Sequence, residues 1–583
     1  MRPSRKRTIR NLSVLFGILL IYSAIQFQLP HKTFWSNDAG EKLLQVRALV
    51  ENGPFDPAIP YDPLGMESRG SFRFAPFPRI HMTVQDGRLI PAVPFYFPLL
   101  SSVPYRVLGE AGLYVFPIVF SIVALALLGM MAREYPLLVL VAAGLASPIF
   151  FYSLTFWEHT MAMCMVTSGF FLVHLSWSSR SFWNLRLFAA GTVMVVGAWV
   201  RSEIYIVIIA ALVGFAVTRR SRLHVPSFIL GVGVGLVPFL LLNQYVYGNL
   251  FGPQVTINVA AATKGGAPLE GLLRVNWDVI RYLFLTYVAD IRLSLVCFFA
   301  AVVPVLYFGF IERWSRVQQR LVLLWSFAIV LSIAFTFAHF FTLHQPMNAT
   351  LDMLGLWPSL SILPFAFVQP RSKPRSAEDE FFFFLFIVML TCLAGFALGL
   401  PSVGGLQWGP RYALALFPIL VLLSVRGYAH LTRQMGTRVL KRSFQLSFLA
   451  LVLLGICIQG FGIRLLAQKK EASAENNRRV ESIAPGAIVT DVWWFAEESA
   501  DLYERIPMYQ HPNAVQAARL ADVILGAGQK NVLLVSRRNL RRVVEKHPRL
   551  ELGRIDRTRH KGIRMFEIQL LEVRRASGQS RQP

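Results

Sequence analysis

The chain has 583 residues, of which 54% are hydrophobic and only 16% charged, with a mean hydropathy of +0.49. These proportions exclude an ordinary soluble domain and indicate a polytopic membrane protein. The formal charge of +25 does not indicate nucleic acid, because the basic residues cluster in alternate short loops between apolar segments.

Met1–Arg10 carries five basic residues ahead of the apolar segment Leu12–Gln28. No small-x-small cleavage site follows before the next polar loop, so this segment is read as a retained, signal-anchor-like helix. A span takes about 20 mostly apolar residues. Thirteen candidates are centred near residues 20, 121, 143, 168, 192, 211, 234, 301, 331, 360, 390, 418 and 454. Basic clusters recur at every second connection: Arg219/Arg220/Arg222, Arg313/Arg316/Arg320, Arg371/Lys373/Arg375 and Arg426–Arg442. This bias places the N-terminus in the cytoplasm and, with an odd number of spans, the C-terminus outside. All four cysteines fall inside apolar segments and read as packing residues, with neither a disulfide framework nor a zinc site.

Three regions are expected: a basic cytoplasmic tail (1–11), a transmembrane domain (12–466) and an outer soluble domain (467–583). The first outer loop runs from about residue 29 to 112. Within it, about 38–52 sets Leu43, Leu44, Val46, Leu49 and Val50 largely on one side, with Lys42, Gln45 and Arg47 interleaved. That pattern predicts a helix lying in the membrane interface. Pro54–Pro78 is irregular, and Arg79–Val93 reads as a hairpin turning at Asp86-Gly87. Polar interruptions follow on the outer side at Thr155–Thr160, Trp199–Glu203, Tyr247–Tyr282 and Pro401–Arg411. Polar backbone at membrane depth is tolerated only where it lines a cavity or is buried in protein.

After the last span, apolar runs at Ala487–Val489, Asn531–Val535 and Met565–Leu571 alternate with helical patterns at Asn513–Leu525 and Asn539–Glu545. This predicts a small α/β domain. Lys469–Pro583 holds 21 basic and 14 acidic residues, a balance that favours anionic headgroups or glycans. No internal repeat is visible, which weighs against an inverted-repeat transporter.

Several constellations could carry chemistry, and each has a structural alternative. Asp38 and Glu41 offer a carboxylate base at the outer membrane face, or they cap the helix that follows. Glu158-His159 could bind a divalent metal or hydrogen-bond an acceptor, or it is solvated at a helix turn. Arg201 could grip a phosphate through its planar fork, or it pairs with Glu203. In Gln407–Arg411, Trp408 could stack on a sugar and Arg411 neutralise a leaving phosphate. The alternative there is an interfacial anchor. Lys42, Arg79, His81 and His344 are further candidates, each also readable as a solvated loop residue.

Taken together, the acid after the first span, the amphipathic segment behind it, YFPLLSSVP…LGEAGLY, FWEHT, GAWVRSE and GGLQWGPRY resemble the GT-C superfamily. These are membrane glycosyltransferases of the protein mannosyltransferase and aminoarabinose transferase kind, and the resemblance, to bacterial members, spans about residues 11–470. It implies a GT-C-like polytopic α-helical fold with a C-terminal soluble α/β domain, in a bacterial inner membrane. It also implies an inverting displacement that moves a sugar from a polyprenyl-phosphate donor to a glycan, lipid or protein acceptor. By resemblance Asp38 is the base, Glu158 the second-loop acid, and Arg201, Arg411 and Lys42 the donor-phosphate contacts. Glu41, His159, Glu203 and Trp408 are then auxiliary or acceptor residues. A divalent metal would fall to Glu158 and His159. One departure is that Asn37, not a second acid, precedes Asp38. The rival readings are a transporter or flippase of lipid-linked sugars and a non-catalytic envelope assembly protein.

Overall fold

The computed structural model describes residues 5–62, 64–67, 71–77, 81–132, 134–178, 181, 183–218, 225–253, 315–343, 355–368, 376–400, 407–511, 513–537, 541–557 and 568–576. In chain order the first elements are α1 (Arg5–Gln28), α2 (Asn37–Glu51), β1 (Met82–Gln85), β2 (Arg88–Pro91), α3 (Tyr96–Leu108) and α4 (Val115–Met131). There follow α5 (Pro136–Gly144), α6 (Ile149–Ser153), α7 (His159–Ser176), α8 (Leu185–Val200), α9 (Ile204–Val217) and α10 (Val225–Tyr247). Next come α11 (Arg316–Leu343), α12 (Leu356–Ser359), α13 (Ala377–Gly399), α14 (Phe417–Gln434) and the 46-residue α15 (Arg438–Ile483). The C-terminal part contains β3 (Ala487–Thr490), α16 (Phe495–Glu498), α17 (Ala500–Tyr503), β4 (Met508–Gln510), α18 (Ala514–Gly526), β5 (Val532–Ser536), α19 (Arg541–Glu545), β6 (Leu550–Arg557) and β7 (Gln569–Arg575).

Among the described residues, eight helices are long and apolar enough to cross a membrane. They account for the expected centres near 20, 121, 168, 234, 331, 390, 418 and 454. The centres near 192 and 211 are the shorter apolar helices α8 and α9. Those near 143 and 360 are pairs of short helical pieces, and the one near 301 lies outside the described residues. The chain is therefore a polytopic helical protein with a β-containing C-terminal part.

Two compact units divide the chain. The first takes the described residues within Met1–Gln28, Tyr114–Leu242 and Ala260–Arg464. Two of its helices start at side chains that satisfy open backbone donors. The Asn184 side chain accepts from two amides at the start of α8, and Ser376 and Asp379 form a reciprocal capping box on α13. Phe215 stacks on Phe384 at 4.8 Å inside this unit, while Leu12, Phe16 and Leu20 of α1 stand more than half exposed. Such outward apolar side chains suit hydrocarbon.

The second unit joins the described residues of Leu29–Leu113, Asn243–Val259 and Leu465–Pro583. Its hairpin forms as the sequence predicts, with β1 antiparallel to β2 and both Asp86 (φ 51°) and Gly87 (φ 70°) in the left-handed region that a primed turn needs. The five-stranded sheet runs β4-β3-β5-β7-β6, with β3 parallel to β4 and β5, and β7 antiparallel to its two neighbours. Every residue of β3 and β5 is buried, as in a sheet covered on both faces. Ala517, Ala521 and Ile524 of α18 fill the core beside Val489, Val532 and Leu571. From β3 the chain moves to one side for β4 and then crosses to the other side for β5. The carboxyl ends of β3 and β5 therefore meet at a topological switch point, where open α/β sheets hold their ligands.

The amphipathic segment differs from its expected role. α2 is buried along nearly its whole length rather than lying with a polar face in the interface. Its polar side chains find protein partners: Gln45 donates to the Val93 carbonyl at 3.3 Å, and Arg47 bonds Tyr105, Glu110, Asp501 and Glu504 at 3.0–3.2 Å.

Candidate active site

In the second unit, a cluster of ionisable groups forms where the start of α2 meets the loop leaving β3. The segment entering α2 is tied down by Lys469, whose ammonium donates to the carbonyls of Phe34 (3.1 Å) and Trp35 (2.5 Å) and to Glu498 (3.0 Å). Asp38 lies inside the first turn of α2, and Ser36 is the N-cap. The capping role considered for Asp38 therefore does not apply: it is a first-turn residue, where the helix dipole favours a carboxylate. Glu41 completes no capping box either. Its carboxylate, 1% exposed, accepts the Ala92 N–H at 3.2 Å. Lys42, one turn after Asp38, is buried, and its ammonium donates to the Asp38 carbonyl at 3.4 Å.

Glu497 is the residue that sequence reasoning did not single out. It sits in α16, directly after the β3 switch point, and is fully buried. Its Oε1 lies 2.6 Å from His81 Nδ1, while its Oε2 has no hydrogen-bond partner among the described residues. α2 approaches this residue so closely that a Cβ on Gly40 would stand 1.8 Å from the Glu497 carbonyl oxygen. His81 is thus not a solvated loop residue but a partner of a buried carboxylate. Arg79 and His344 lie outside the described residues.

Burial dominates the electrostatics. It pushes the Glu41 carboxyl up to about 8, against the opposing pull of His81. Burial alone would lower His81, but its bond to Glu497 and the charges of Glu497, Glu41 and Asp38 outweigh that and raise it to about 9. Glu497 is also raised by burial. Asp38, less enclosed than Glu41 or Glu497, is one of the charges acting on all three groups.

Ligating atoms of Glu41, His81 and Glu497 all lie within 4.8 Å of one another. One imidazole and two carboxylates are a donor set that Zn²⁺ accepts, and the unpartnered Glu497 Oε2 fits such an ion. The expected metal ligands Glu158 and His159 are differently engaged.

Those two belong to a second cluster, in the first unit. Glu158 precedes α7, and its Oε1 accepts from Arg201 Nη1 at 3.0 Å. Arg201 also donates through Nε to Glu203 at 2.8 Å and lies over the Tyr412 ring. Both carboxylates are about 5% exposed, so the Arg201–Glu203 pair considered from the sequence is present and is joined by Glu158. The His159 ring packs edge-on against Tyr152 and Trp157. Arg411 stacks over Trp157 and Tyr412 at 5.4 and 5.1 Å. Trp408 is 1% exposed, its indole N–H donates to Gln459 at 3.0 Å, and it stacks on Phe151. It is a packed residue rather than an interfacial anchor.

No family model and no curated protein matches the chain. Among solved structures it is similar to ArnT from Cupriavidus metallidurans. In the crystal structure bound to undecaprenyl phosphate the identity is 11% and the TM-score 0.46, over 98% of both chains. In the apo state they are 11% and 0.48, over 97% of both chains. It is also similar to the Archaeoglobus fulgidus oligosaccharyltransferase tethered with an acceptor peptide containing the NVT sequon. There the identity is 12% and the TM-score 0.43, over 90% of this chain and 68% of that one. A likeness of this degree concerns the path of the chain and carries no chemistry to its side chains.

Proposed function

We propose that the protein is an inverting membrane glycosyltransferase that moves a sugar from a polyprenyl-phosphate donor to a cell-envelope acceptor on the outer face of the membrane. Asp38 is its base. The observation that carries this reading is the position of Asp38: first turn of a buried helix, part-exposed, beside the Glu41–His81–Glu497 cluster.

The division of labour follows from environment. Burial raises the Glu41 carboxyl to about 8, which favours its protonated form at neutral pH and makes it the poorer base in the resting site. Glu497 is fully buried and bonded to His81. Asp38 is left as the carboxylate that an acceptor hydroxyl can reach. As the acceptor oxygen attacks the anomeric carbon, its proton passes to Asp38. The bond from that carbon to the donor phosphate breaks, and the phosphate leaves with the electron pair. Lys42 is the cation near the base in this reading, and Arg201 and Arg411 are proposed as donor-phosphate contacts in their own right. A divalent ion held by Glu41, His81 and Glu497 would displace the protons that Glu41 and His81 carry without it, and would then supply fixed positive charge there. Preorganised charge of this kind is a large contributor to transfer rates.

The test is transfer from a polyprenyl-phosphate sugar by the full-length protein in detergent or nanodiscs. Asp38→Asn keeps the size of the side chain and is expected to leave expression and donor binding intact. Transfer should fall by about 10²–10⁴, the usual worth of a general base. Substantial transfer by Asp38→Asn would end its assignment as base. Donor movement across the bilayer without any transfer would favour the flippase reading instead.

A further inference from the structure

We infer that Trp493 is the stacking platform for a pyranose ring at this site, and so a residue that helps to determine which sugar the protein accepts. The inference rests on the glycosyltransferase reading for the identity of the ligand, but on its own observations for the place. Trp493 lies in the loop that leaves β3 at the topological switch point of the C-terminal sheet, four residues before Glu497. Its neighbours Val492, Trp494 and Phe495 are 3%, 4% and 1% exposed, whereas Trp493 is 48% exposed. The indole is therefore presented outward by a loop anchored on both sides.

That loop is also held by hydrogen bonds. The Val492 N–H donates to Thr490 Oγ1 at 2.9 Å, and Thr490 Oγ1 donates to the Val535 carbonyl at 3.0 Å. Ser536 Oγ donates to Asp491 Oδ2 at 2.9 Å, and the Phe495 N–H closes a turn onto the Val492 carbonyl at 3.0 Å. The Thr490–Val535 and Ser536–Asp491 bonds fasten the carboxyl end of β3 to that of β5, and the other two brace the loop itself. An aromatic side chain so fixed loses little entropy on binding. The His81 ring stands edge-on to Trp493, 6.0 Å between centroids, and His81 is bonded in turn to Glu497. The platform therefore adjoins the ionisable cluster through one shared imidazole.

The chemistry selects the ligand class. One face of a pyranose is a patch of C–H bonds carrying partial positive charge, and it is attracted to the negative face of an indole. Its ring hydroxyls point away from that face, where carboxylates accept hydrogen bonds. The donor's transferred sugar and a saccharide acceptor share this chemistry.

The probe is a panel of methyl pyranosides (glucoside, mannoside, N-acetylglucosaminide), read by saturation-transfer NMR on full-length protein in detergent. At least one should receive saturation at its ring C–H protons. Trp493→Ala should weaken its binding about tenfold, the scale of a lost aromatic contact. Trp493→Phe should keep most of the binding, whereas Trp493→Leu, apolar without a π face, should behave like Ala. Failure of every pyranoside to bind the wild type, or equal binding by the Ala variant, overturns the proposal. In the transfer assay, a raised KM for donor or for acceptor in Trp493→Ala identifies whose ring is stacked, and no change in either overturns the platform. Trp493-dependent pyranoside binding by a wild-type protein that transfers nothing would leave the platform standing and remove the glycosyltransferase reading.

Discussion

His81 Nδ1 and Glu497 Oε1 lie 2.6 Å apart although 416 positions separate them in the chain. This contact gathers α2, the segment before the hairpin and the switch-point loop of the C-terminal sheet around one set of protons. A group whose pKa is higher in the folded protein than in the unfolded chain binds more protons when folded, so stability falls as pH rises between the two values. The His81 pairing is thus fully stabilising below about 6.5 and is lost as pH passes about 9. Keeping Glu41 buried becomes progressively unfavourable from about 4.5 up to about 8.

Glu41→Gln imitates the protonated acid and can still accept the Ala92 N–H. Its thermal midpoint should match that of the wild type near pH 4.5 and rise above it steadily towards pH 8. A difference that stays constant across this range would show that Glu41 does not hold its proton in the folded protein.

How much of this was legible in the sequence follows from how local each feature is. The Asp86-Gly87 turn, the runs that became β3 and β5, and the long apolar helices announce themselves in a few adjacent residues. Asp38 was visible because it stands just past the first span. Glu497 was not, since nothing in Phe495-Ala496-Glu497-Glu498 marks it until β3 and α2 are brought together. α2 misled for a related reason: Gln45 and Arg47 looked solvent-facing because their partners at Val93, Asp501 and Glu504 are distant in sequence. β4 and β6 escaped because one is three residues long and the other, LELGRIDR, interleaves charges and carries a register shift.

Gly40 fixes the spacing between α2 and Glu497. Because a methyl group there would stand 1.8 Å from a backbone carbonyl oxygen, the two segments would have to separate. Gly40→Ala would gain helix propensity on an open surface. Here it should instead destabilise the protein by about 1–3 kcal/mol through overpacking. Transfer should fall as well, since Asp38 stands two residues earlier. A wild-type thermal midpoint in Gly40→Ala would refute the close approach.

Arg47 ties α2 to three acids at once, and its side chain is 9% exposed. Removing one partner of a buried ion pair costs about 3–5 kcal/mol because the remaining charge stays buried. Arg47→Met should therefore expose the second unit to limited proteolysis, as seen by fragment mapping. Arg47→Lys should restore only part of the resistance, since an ammonium cannot reproduce the fork that reaches Tyr105, Glu110, Asp501 and Glu504 together. Unchanged proteolysis in the Met variant would reduce Arg47 to a surface contact.

Arg201 and Arg411 were alike in the sequence, each a cation at a polar interruption, but their surroundings predict different outcomes. Arg201 is the cation bonded to both Glu158 and Glu203, whose side chains are 5% and 6% exposed. Arg201→Gln removes it and leaves two buried carboxylates facing a neutral amide, so less folded protein should be recovered from the membrane. Pairing that change with Glu158→Gln should recover part of the loss, because one uncompensated charge goes with it. Arg411 rests on the rings of Trp157 and Tyr412. Arg411→Gln should insert and fold normally while raising the donor KM by about tenfold to a hundredfold, the worth of a hydrogen bond to a charged group. Recovery is read by size-exclusion chromatography of the solubilised protein, and KM by transfer from a polyprenyl-phosphate sugar. Normal donor use by Arg411→Gln would remove Arg411 from the phosphate site, and normal recovery of Arg201→Gln would mean that the Glu158–Arg201–Glu203 bonds contribute little to folding.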